Sequence, residues 1–264
     1  MLTHDLLPAF GDRPITAIDG ASARGLDVRL GTRKGRRNRP RTRGTRNNVQ
    51  TVLRSTLQFA VREGYIPAVP SRLPVLKQSG RTVLEIPSDD DVAKILAVAA
   101  PSRRRVFLLM AYAGLRPNEV RALAWRDVQL GATGGFLTVR HGKSYGELHT
   151  PKTGQREIPL APPLWKELVA DSRRAPDRHV AMICAGKPWG QHGIAQAFNR
   201  VMEGAGLSGS SVYALRHYAI RHWLRAGIRV HVVQRMAGHT NLSTTRGTCT
   251  TSKRISRGGR TSDW

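Results

Sequence analysis

Three cationic residues lie beside or within apolar runs of the chain, and any fold must account for each of them. Arg116 follows A-Y-A-G-L, Arg216 lies within S-V-Y-A-L-R-H-Y-A-I, and His239 follows M-A-G. Each run has the spacing of a helix packed on a core, where a charge requires a partner or a ligand. Two guanidiniums and an imidazole that converge would bind a phosphate, because arginine's planar fork pairs with two phosphate oxygens. The fold is therefore expected to bring these distant segments together.

The charge balance indicates a polyanionic partner. The chain has 43 Lys and Arg against 18 Asp and Glu, a formal net charge of +25. Nucleic acid is the leading candidate, because neutralised phosphates release counterions and so drive binding. We expect no membrane association and no signal peptide, since the sequence shows no long apolar run and no basic amphipathic anchor. Cys184 and Cys249 form neither a disulfide framework nor a zinc motif, so we expect a cytoplasmic protein.

Changes in composition divide the chain into two domains. Residues 33–46 form the densest basic run and are expected to be a flexible arm that contacts phosphates, with a merely solvated segment as the alternative. Four prolines between residues 67 and 87 indicate a linker. We expect a partial helical domain at 1–80, a linker at 81–87 and a second domain at 88–264. The predicted DNA-binding residues are Arg33, Lys34, Arg36, Arg37, Arg39, Arg41, Arg43 and Arg46.

The second domain is predicted to be mainly helical around a small sheet. S-D-D-D at 88–91 is a capping-box pattern ahead of a helix, which Pro101 is expected to end. Gly114 should end the next helix, and Pro117 should begin another. Residues 134–160 change to strand periodicity with turn glycines, which predicts three antiparallel strands: G-F-L-T-V-R-H, then E-L-H-T-P-K-T-G-Q in the middle, then R-E-I-P-L. Helical spacing returns at 162–171, 190–205, 212–226 and 229–237.

Four motifs occur in a characteristic order along the second domain. They are G-L-R-P-N-E at 114–119, P-K-T-G-Q-R-E-I-P-L at 151–160, Y-A-L-R-H at 213–217 and A-G-H at 237–239. A predicted hairpin lies between the first motif and the second. In this order the four motifs resemble the tyrosine recombinase, or phage integrase, family. The resemblance implies a mainly α fold with a small antiparallel β-sheet, in which a helical core-binding domain precedes an α+β catalytic domain. It also implies a phage or mobile-element protein that cuts and rejoins DNA through a 3′-phosphotyrosyl intermediate.

The resemblance assigns a role to each motif residue. Arg116 and Arg216 would grip the scissile phosphate, and Lys152 would act as general acid for the leaving 5′ oxygen. His239 would donate a hydrogen bond to a non-bridging oxygen, and Glu119 would orient the site. Fixed cations can stabilise the developing negative charge, so we expect no metal and no cofactor. The implied partners are double-stranded DNA and three further copies of the chain, which would form a homotetramer.

Two positions depart from the pattern of this family. Tyr213 stands three residues before Arg216, where histidine is usual, and its phenol can donate a hydrogen bond. A core tyrosine with a satisfied hydroxyl is the alternative. Thr248 stands nine residues after His239, where the family carries its nucleophilic tyrosine, and no tyrosine follows Tyr218. A threonine needs an activating base to attack phosphate, and the sequence indicates none.

The tail at 246–264 is atypical as well, because the helical apolar pattern ends there. A frame that starts at the last base of codon 247 permits a tyrosine at position 248 and the acidic continuation V-H-H-L-E-A-D-L. We therefore hypothesise that one nucleotide was lost near codon 247; a codon 247 that does not end in T would exclude this. Two other functions remain open. One is a DNA-binding integrase remnant or regulator without catalysis, and the other is an RNA-binding basic protein, which explains the charge but not the ordered motifs.

Overall fold

A computed structural model describes residues 1–32, 41–70, 73–74, 84–151, 154–171, 175–183, 186–239 and 252–253. The chain divides into two compact units, Met1–Thr82 and Val83–Trp264. Ile86 lies in the segment expected to be a linker, yet it is buried in the core of the second unit. No helix in the described ranges is both long and apolar enough to cross a lipid bilayer.

The described part of the first unit is helical. Its helices are α1 at Leu7–Phe10, preceded by a wide helical turn at Leu2–Leu6, α2 at Gly20–Thr32 and α3 at Arg43–Arg62. One cluster buries Leu26 and Leu30 of α2 together with Leu53 and Leu57 of α3. This cluster forms because the apolar residues of both helices recur at helical spacing and so share one face.

The last four residues of the basic run are helical instead of forming the expected flexible arm. The hydroxyl of Thr42 accepts a hydrogen bond from the Thr45 amide at 3.3 Å, which caps α3 just before Arg43. Arg46 then forms an ion pair with Asp27 of α2, which ties this first turn to the neighbouring helix. The composition of the run suggested a loop, but a cap and an ion pair fix its end as helix.

The helices of the second unit surround α5. They are α4 at Asp89–Val98, α5 at Pro101–Tyr112, α6 at Pro117–Ala122, α7 at Pro162–Val169, α8 at Gly193–Gly204, α9 at Tyr213–Arg225 and α10 at Val230–Ala237. Residues 106–111 of α5 are at most 1% exposed. A helical segment that is apolar on all sides must be enclosed by other elements, so this half of α5 lies at the centre of the core.

The helix ends follow the predicted capping residues, with one correction. Ser88 and Asp91 form the capping box at the start of α4, since each side chain accepts a hydrogen bond from the other's amide. Pro101 does not end α4, which already stops at Val98. It begins α5 instead, where its missing N–H would have had no partner in any case. Gly114 closes α5 in the left-handed conformation, with φ at +60°.

The sheet differs from the predicted one in its choice of strands. β2 at Val128–Leu130, β3 at Gly135–Val139 and β6 at Arg156–Pro159 form a three-stranded antiparallel sheet with β3 in the middle. The expected middle strand pairs elsewhere, as β4 at Gly142–Ser144 with β5 at Glu147–His149. All three residues of β5 are exposed, so this strand has no apolar face to bind it to the core. Two short strands, β1 at Leu84–Glu85 and β7 at Ser252–Lys253, pair in parallel.

Candidate functional site

Arg116 lies where α5 turns into α6, and two partners hold its guanidinium. Nη1 donates a hydrogen bond to the Glu119 carboxylate at 2.9 Å, and Nη2 donates to the Gly238 carbonyl at 2.9 Å. The Arg116 amide also donates to Glu119, at 2.8 Å. The arginine side chain nevertheless remains 32% exposed. It is therefore fixed in position and still accessible to a ligand.

Arg216 is almost completely buried in the first turn of α9, with 3% of its surface exposed. Its two terminal nitrogens donate to the carbonyls of Gly114 and Ala237, which lie at the carboxyl ends of α5 and α10. These helix ends carry partial negative charge, which compensates the buried cation. Burial, followed by the charge of Arg116, lowers the pKa of Arg216 to about 9. The guanidinium therefore stays protonated at neutral pH.

Glu119 is the buried carboxylate between these cations. Burial alone would raise its pKa, but the hydrogen bond and charge of Arg156, together with the Arg116 amide, outweigh burial and lower it. Nη2 of Arg156 donates to the Glu119 carboxylate at 2.7 Å. One anion is thus surrounded by the guanidiniums of Arg116, Arg156 and Arg216, which leaves an excess of positive charge at this point.

His239 reaches the same place from the end of α10. Gly238 ends the helix in the left-handed conformation, and the His239 amide donates to the Gln234 carbonyl at 3.1 Å. Burial, followed by the charges of Arg216 and Arg116, lowers the pKa of His239 to about 4. The imidazole is therefore neutral at pH 7 and keeps one N–H donor.

The structure brings Arg116, Glu119, Arg216 and His239 together. Tyr213 is the first residue of α9 and is 49% exposed, so it is not the core tyrosine considered as an alternative. Lys152 and Thr248 lie outside the described residues, as do Arg33, Lys34, Arg36, Arg37 and Arg39.

Three of the predicted DNA-binding residues are described, and they differ in their surroundings. Arg41 forms an ion pair with Asp5 at 2.7 Å, and Arg46 pairs with Asp27. Arg43 is exposed on the first turn of α3. Two of these three arginines therefore already use donors within the protein.

Arg156 of β6 belongs to this cluster, and the sequence motifs did not single it out. Its Nε donates to the Met236 carbonyl at 2.8 Å, in addition to the bond to Glu119. A signal was present in R-E-I-P, because Arg156 alternates with Ile158 on the inward face of the strand. Arg156 also lines an open cleft of about 1020 Å³ between β6 and α10, which His239 lines as well. Among the described residues, no group of three His, Cys, Asp or Glu side chains could hold a metal ion.

Comparison with known proteins relates this site to one family. The model of the phage integrase family matches residues 88–252. The tyrosine recombinase XerC 2 of Ralstonia nicotianae is 31% identical over 217 residues, which cover 78% of this chain and 61% of that protein. XerC of Chlamydia trachomatis is 29% identical over 213 residues, or 74% of this chain and 63% of that protein. The chain thus spans just over three fifths of the length of these relatives.

Solved structures show the same fold at lower identity. The Tn1549 transposon integrase, solved in complex with a circular intermediate DNA, superposes with a TM-score of 0.71 at 16% identity over 89% of this chain and 82% of that one. The lambda integrase dimer bound to a COC′ core site gives 0.66 at 15% identity over 98% of this chain and 70% of that one. The predicted mainly α class with a small antiparallel sheet is confirmed. With the family model matching well over half of its residues, the chain belongs to the phage integrase, or tyrosine recombinase, family.

Proposed function

We propose that the second unit binds a DNA phosphodiester and activates it for the cutting and rejoining steps of site-specific recombination. The observation that carries this proposal is the arrangement of Arg116, Arg156 and Arg216 around the single carboxylate of Glu119. Three guanidiniums and one carboxylate leave excess positive charge in a partly dry site, where it attracts an anion more strongly than in water. A phosphodiester fits, because negative charge grows on its oxygens in the transition state.

Each described residue has a distinct role in this proposal. Arg116 would contact the phosphate, since its guanidinium is exposed and is held in place by Glu119. Arg216 would act from behind it, mainly through its charge, because its terminal nitrogens already donate to carbonyls. The neutral imidazole of His239 would donate one hydrogen bond to a non-bridging oxygen. The exposed phenol of Tyr213 would donate another.

The general acid is assigned from the family resemblance alone. Lys152 would protonate the leaving 5′ oxygen. This residue lies outside the described ranges, which end at Pro151 and resume at Gly154. Neighbouring cations would pull the pKa of such a lysine toward neutrality, which suits a proton donor.

We propose double-stranded DNA as the substrate and partner. The first unit, with the basic run 33–46, would bind the DNA backbone as the family's helical domain does. A lambda integrase tetramer bound to a Holliday junction has the same fold, with a TM-score of 0.67 at 15% identity over 90% of this chain and 68% of that one. We therefore propose four copies of this protein around two duplexes, acting in the cytoplasm.

Threonine at position 248 favours a second candidate function for the chain as written. A protein with the phosphate site but without the tyrosine would occupy DNA and form no covalent intermediate. We propose that recombination is impaired in this chain for that reason, and that a lost nucleotide near codon 247 is the origin of the change.

The test compares the chain as written with Thr248→Tyr and with a chain translated in the shifted frame from codon 247. The substrate is a duplex that the protein selects from a random pool, nicked so that cleavage releases a short end. We expect a gel shift without an adduct from the chain as written, and a covalent adduct from the shifted-frame chain. An adduct from Thr248→Tyr as well would show that the tail beyond it is dispensable.

Two controls make the result specific to the proposed site. Arg116→Ala in the shifted-frame chain should abolish the adduct, because the phosphate then loses its direct cation. Structured RNA at equal salt should compete poorly for the selected duplex, whereas the RNA-binding alternative requires strong competition. Tight duplex binding without an adduct from either tyrosine-bearing chain would favour the binding protein over the recombinase.

A further inference from the structure

Arg156 connects two parts of the site that come from distant segments. Its Nη2 donates to Glu119 on α6 at 2.7 Å, and its Nε donates to the Met236 carbonyl in the last turn of α10 at 2.8 Å. Glu119 in turn holds Arg116, while Met236 lies three residues before His239. One guanidinium on β6 thus contacts both the element that fixes Arg116 and the element that ends at His239.

The burial and the bonds of Arg156 suit a residue that positions others. Its side chain is only 6% exposed, against 32% for Arg116. Two of its nitrogens already donate to protein acceptors in different directions. The planar guanidinium fixes the angle between these two bonds, which a lysine ammonium on its flexible stem cannot do.

We propose that Arg156 is a positioning residue that holds Arg116 and His239 at the spacing needed to bind one phosphate. It does so by bridging Glu119 and the Met236 carbonyl with a single rigid guanidinium. This inference rests on the proposed phosphate site. It adds a residue whose loss weakens that site without removing any group that touches the ligand. A displacement of about 1 Å at such a site can lower its effectiveness by about a hundredfold, so the bridge is expected to matter.

The first measurement needs no ligand. Hydrogen exchange of two amides reports the two ends of the bridge: that of Arg116, which donates to Glu119, and that of His239, which donates to the Gln234 carbonyl. We expect both amides to exchange about tenfold faster in Arg156→Gln than in the parent protein. Arg105→Gln is the matched control, because Arg105 pairs with Asp171 and Glu167 in the same unit, and both site amides should keep the parent rate there.

The second measurement uses dimethyl phosphate, a diester monoanion, followed through the NMR signals of the Arg116 guanidinium and the His239 ring. We expect Arg156→Gln to weaken its binding about tenfold, a change of about 1.4 kcal/mol. Arg156→Lys should weaken it similarly, because it keeps the charge but loses the planar fork. If Arg156→Gln does not fold, as judged by circular dichroism, the lysine variant supplies both measurements.

The outcomes separate this inference from the function on which it rests. Unchanged exchange at either amide in the Arg156 variants would overturn the bridge, and so would full recovery of both measurements by Arg156→Lys. If dimethyl phosphate does not shift the Arg116 and His239 signals of the parent protein, the proposed phosphate site is overturned. The exchange rates would still decide whether Arg156 couples the two segments.

Discussion

At the residue scale, the two arginines of the site differ in burial and therefore in how much each contributes to stability. Arg116 is 32% exposed, and its carboxylate partner Glu119 is also held by Arg156. Arg216 is 3% exposed, and its nitrogens satisfy the carbonyls of Gly114 and Ala237. Removing a partly exposed group whose carboxylate partner keeps another donor costs little stability, whereas removing a buried donor leaves its acceptors without a partner.

We therefore expect Arg116→Ala to lower the free energy of unfolding by no more than about 1 kcal/mol. Arg216→Ala should lower it by about 3 kcal/mol, because two carbonyls lose their donor and a cavity opens. Urea unfolding measures both values, and a filter-binding assay measures DNA affinity. Both variants should weaken DNA binding, but only Arg116→Ala should do so with little loss of stability. Equal losses of stability would contradict this division of roles.

His217 and His239 make the stability of the second unit sensitive to mild acid. Burial and then Arg216 lower the pKa of His217 to about 4, and burial and then Arg216 and Arg116 lower that of His239 to about 4. The unfolded chain binds protons near pH 6.5, so it holds more protons than the folded protein between pH 6.5 and 4. Unfolding free energy should thus fall by roughly 1–3 kcal/mol in that window, after allowance for partial exposure.

Urea midpoints at pH 7.5, 6.5, 5.5 and 4.5 would measure this slope. These two histidines should change the stability of the parent protein little above pH 7 and lower it progressively below pH 6.5. Glu119 acts in a lower range, since its lowered pKa makes it a source of instability only below its ordinary value of 4.5. His239→Gln should flatten part of the slope, and an unchanged slope would show that His239 is not held neutral by its surroundings.

At the element scale, sequence signals predicted helix ends better than strand partners. The capping box at Ser88 and the glycine at Gly114 are local, so neighbouring residues were enough to place them. Strand pairing depends on distant residues, and β5 joined β4 because it has no buried face. The ordered motifs predicted that Arg116 and Arg216 share one site, whereas they assigned no role to Arg156. Its charge marks an ordinary surface residue unless the acceptors on α6 and α10 are known.

Gly114 links the end of α5 to the site, and its replacement tests that link. The residue has φ at +60°, and a Cβ there would lie 2.8 Å from the Trp223 ring of α9. Gly114→Ala should therefore destabilise the second unit by about 2–4 kcal/mol, through backbone strain and a clash inside a packed core. Gly134→Ala is the matched control, because its Cβ would meet nothing within 4 Å, and it should change stability by no more than about 0.5 kcal/mol. Thermal unfolding compares the two variants. Similar melting temperatures would show that position 114 tolerates a side chain and does not need glycine.

At the scale of the whole molecule, only part of the net charge of +25 is accessible to a partner. Some arginines neutralise carboxylates of the protein itself, as Arg46 does with Asp27 and Arg105 with Asp171. Others, such as Arg43, are exposed at the surface. Total charge explains why a polyanion is expected, but the number of phosphates neutralised depends on which cations are still accessible in the folded protein.

Arg43 and Arg46 lie in the same turn of α3 and offer a test of this distinction. If Arg43 contacts a DNA phosphate, Arg43→Gln should reduce the slope of log K against log salt by about 0.9, with little change in stability. Arg46→Gln should instead destabilise the first unit by about 1–3 kcal/mol, because Asp27, only 7% exposed, loses its partner. It should leave the slope nearly unchanged once the protein is folded. Binding titrations between 50 and 300 mM salt, paired with urea unfolding, measure both quantities. A larger slope change for Arg46→Gln than for Arg43→Gln would mean that DNA draws Arg46 away from Asp27, and the ion pairs seen within the protein would then not predict which charges meet the backbone.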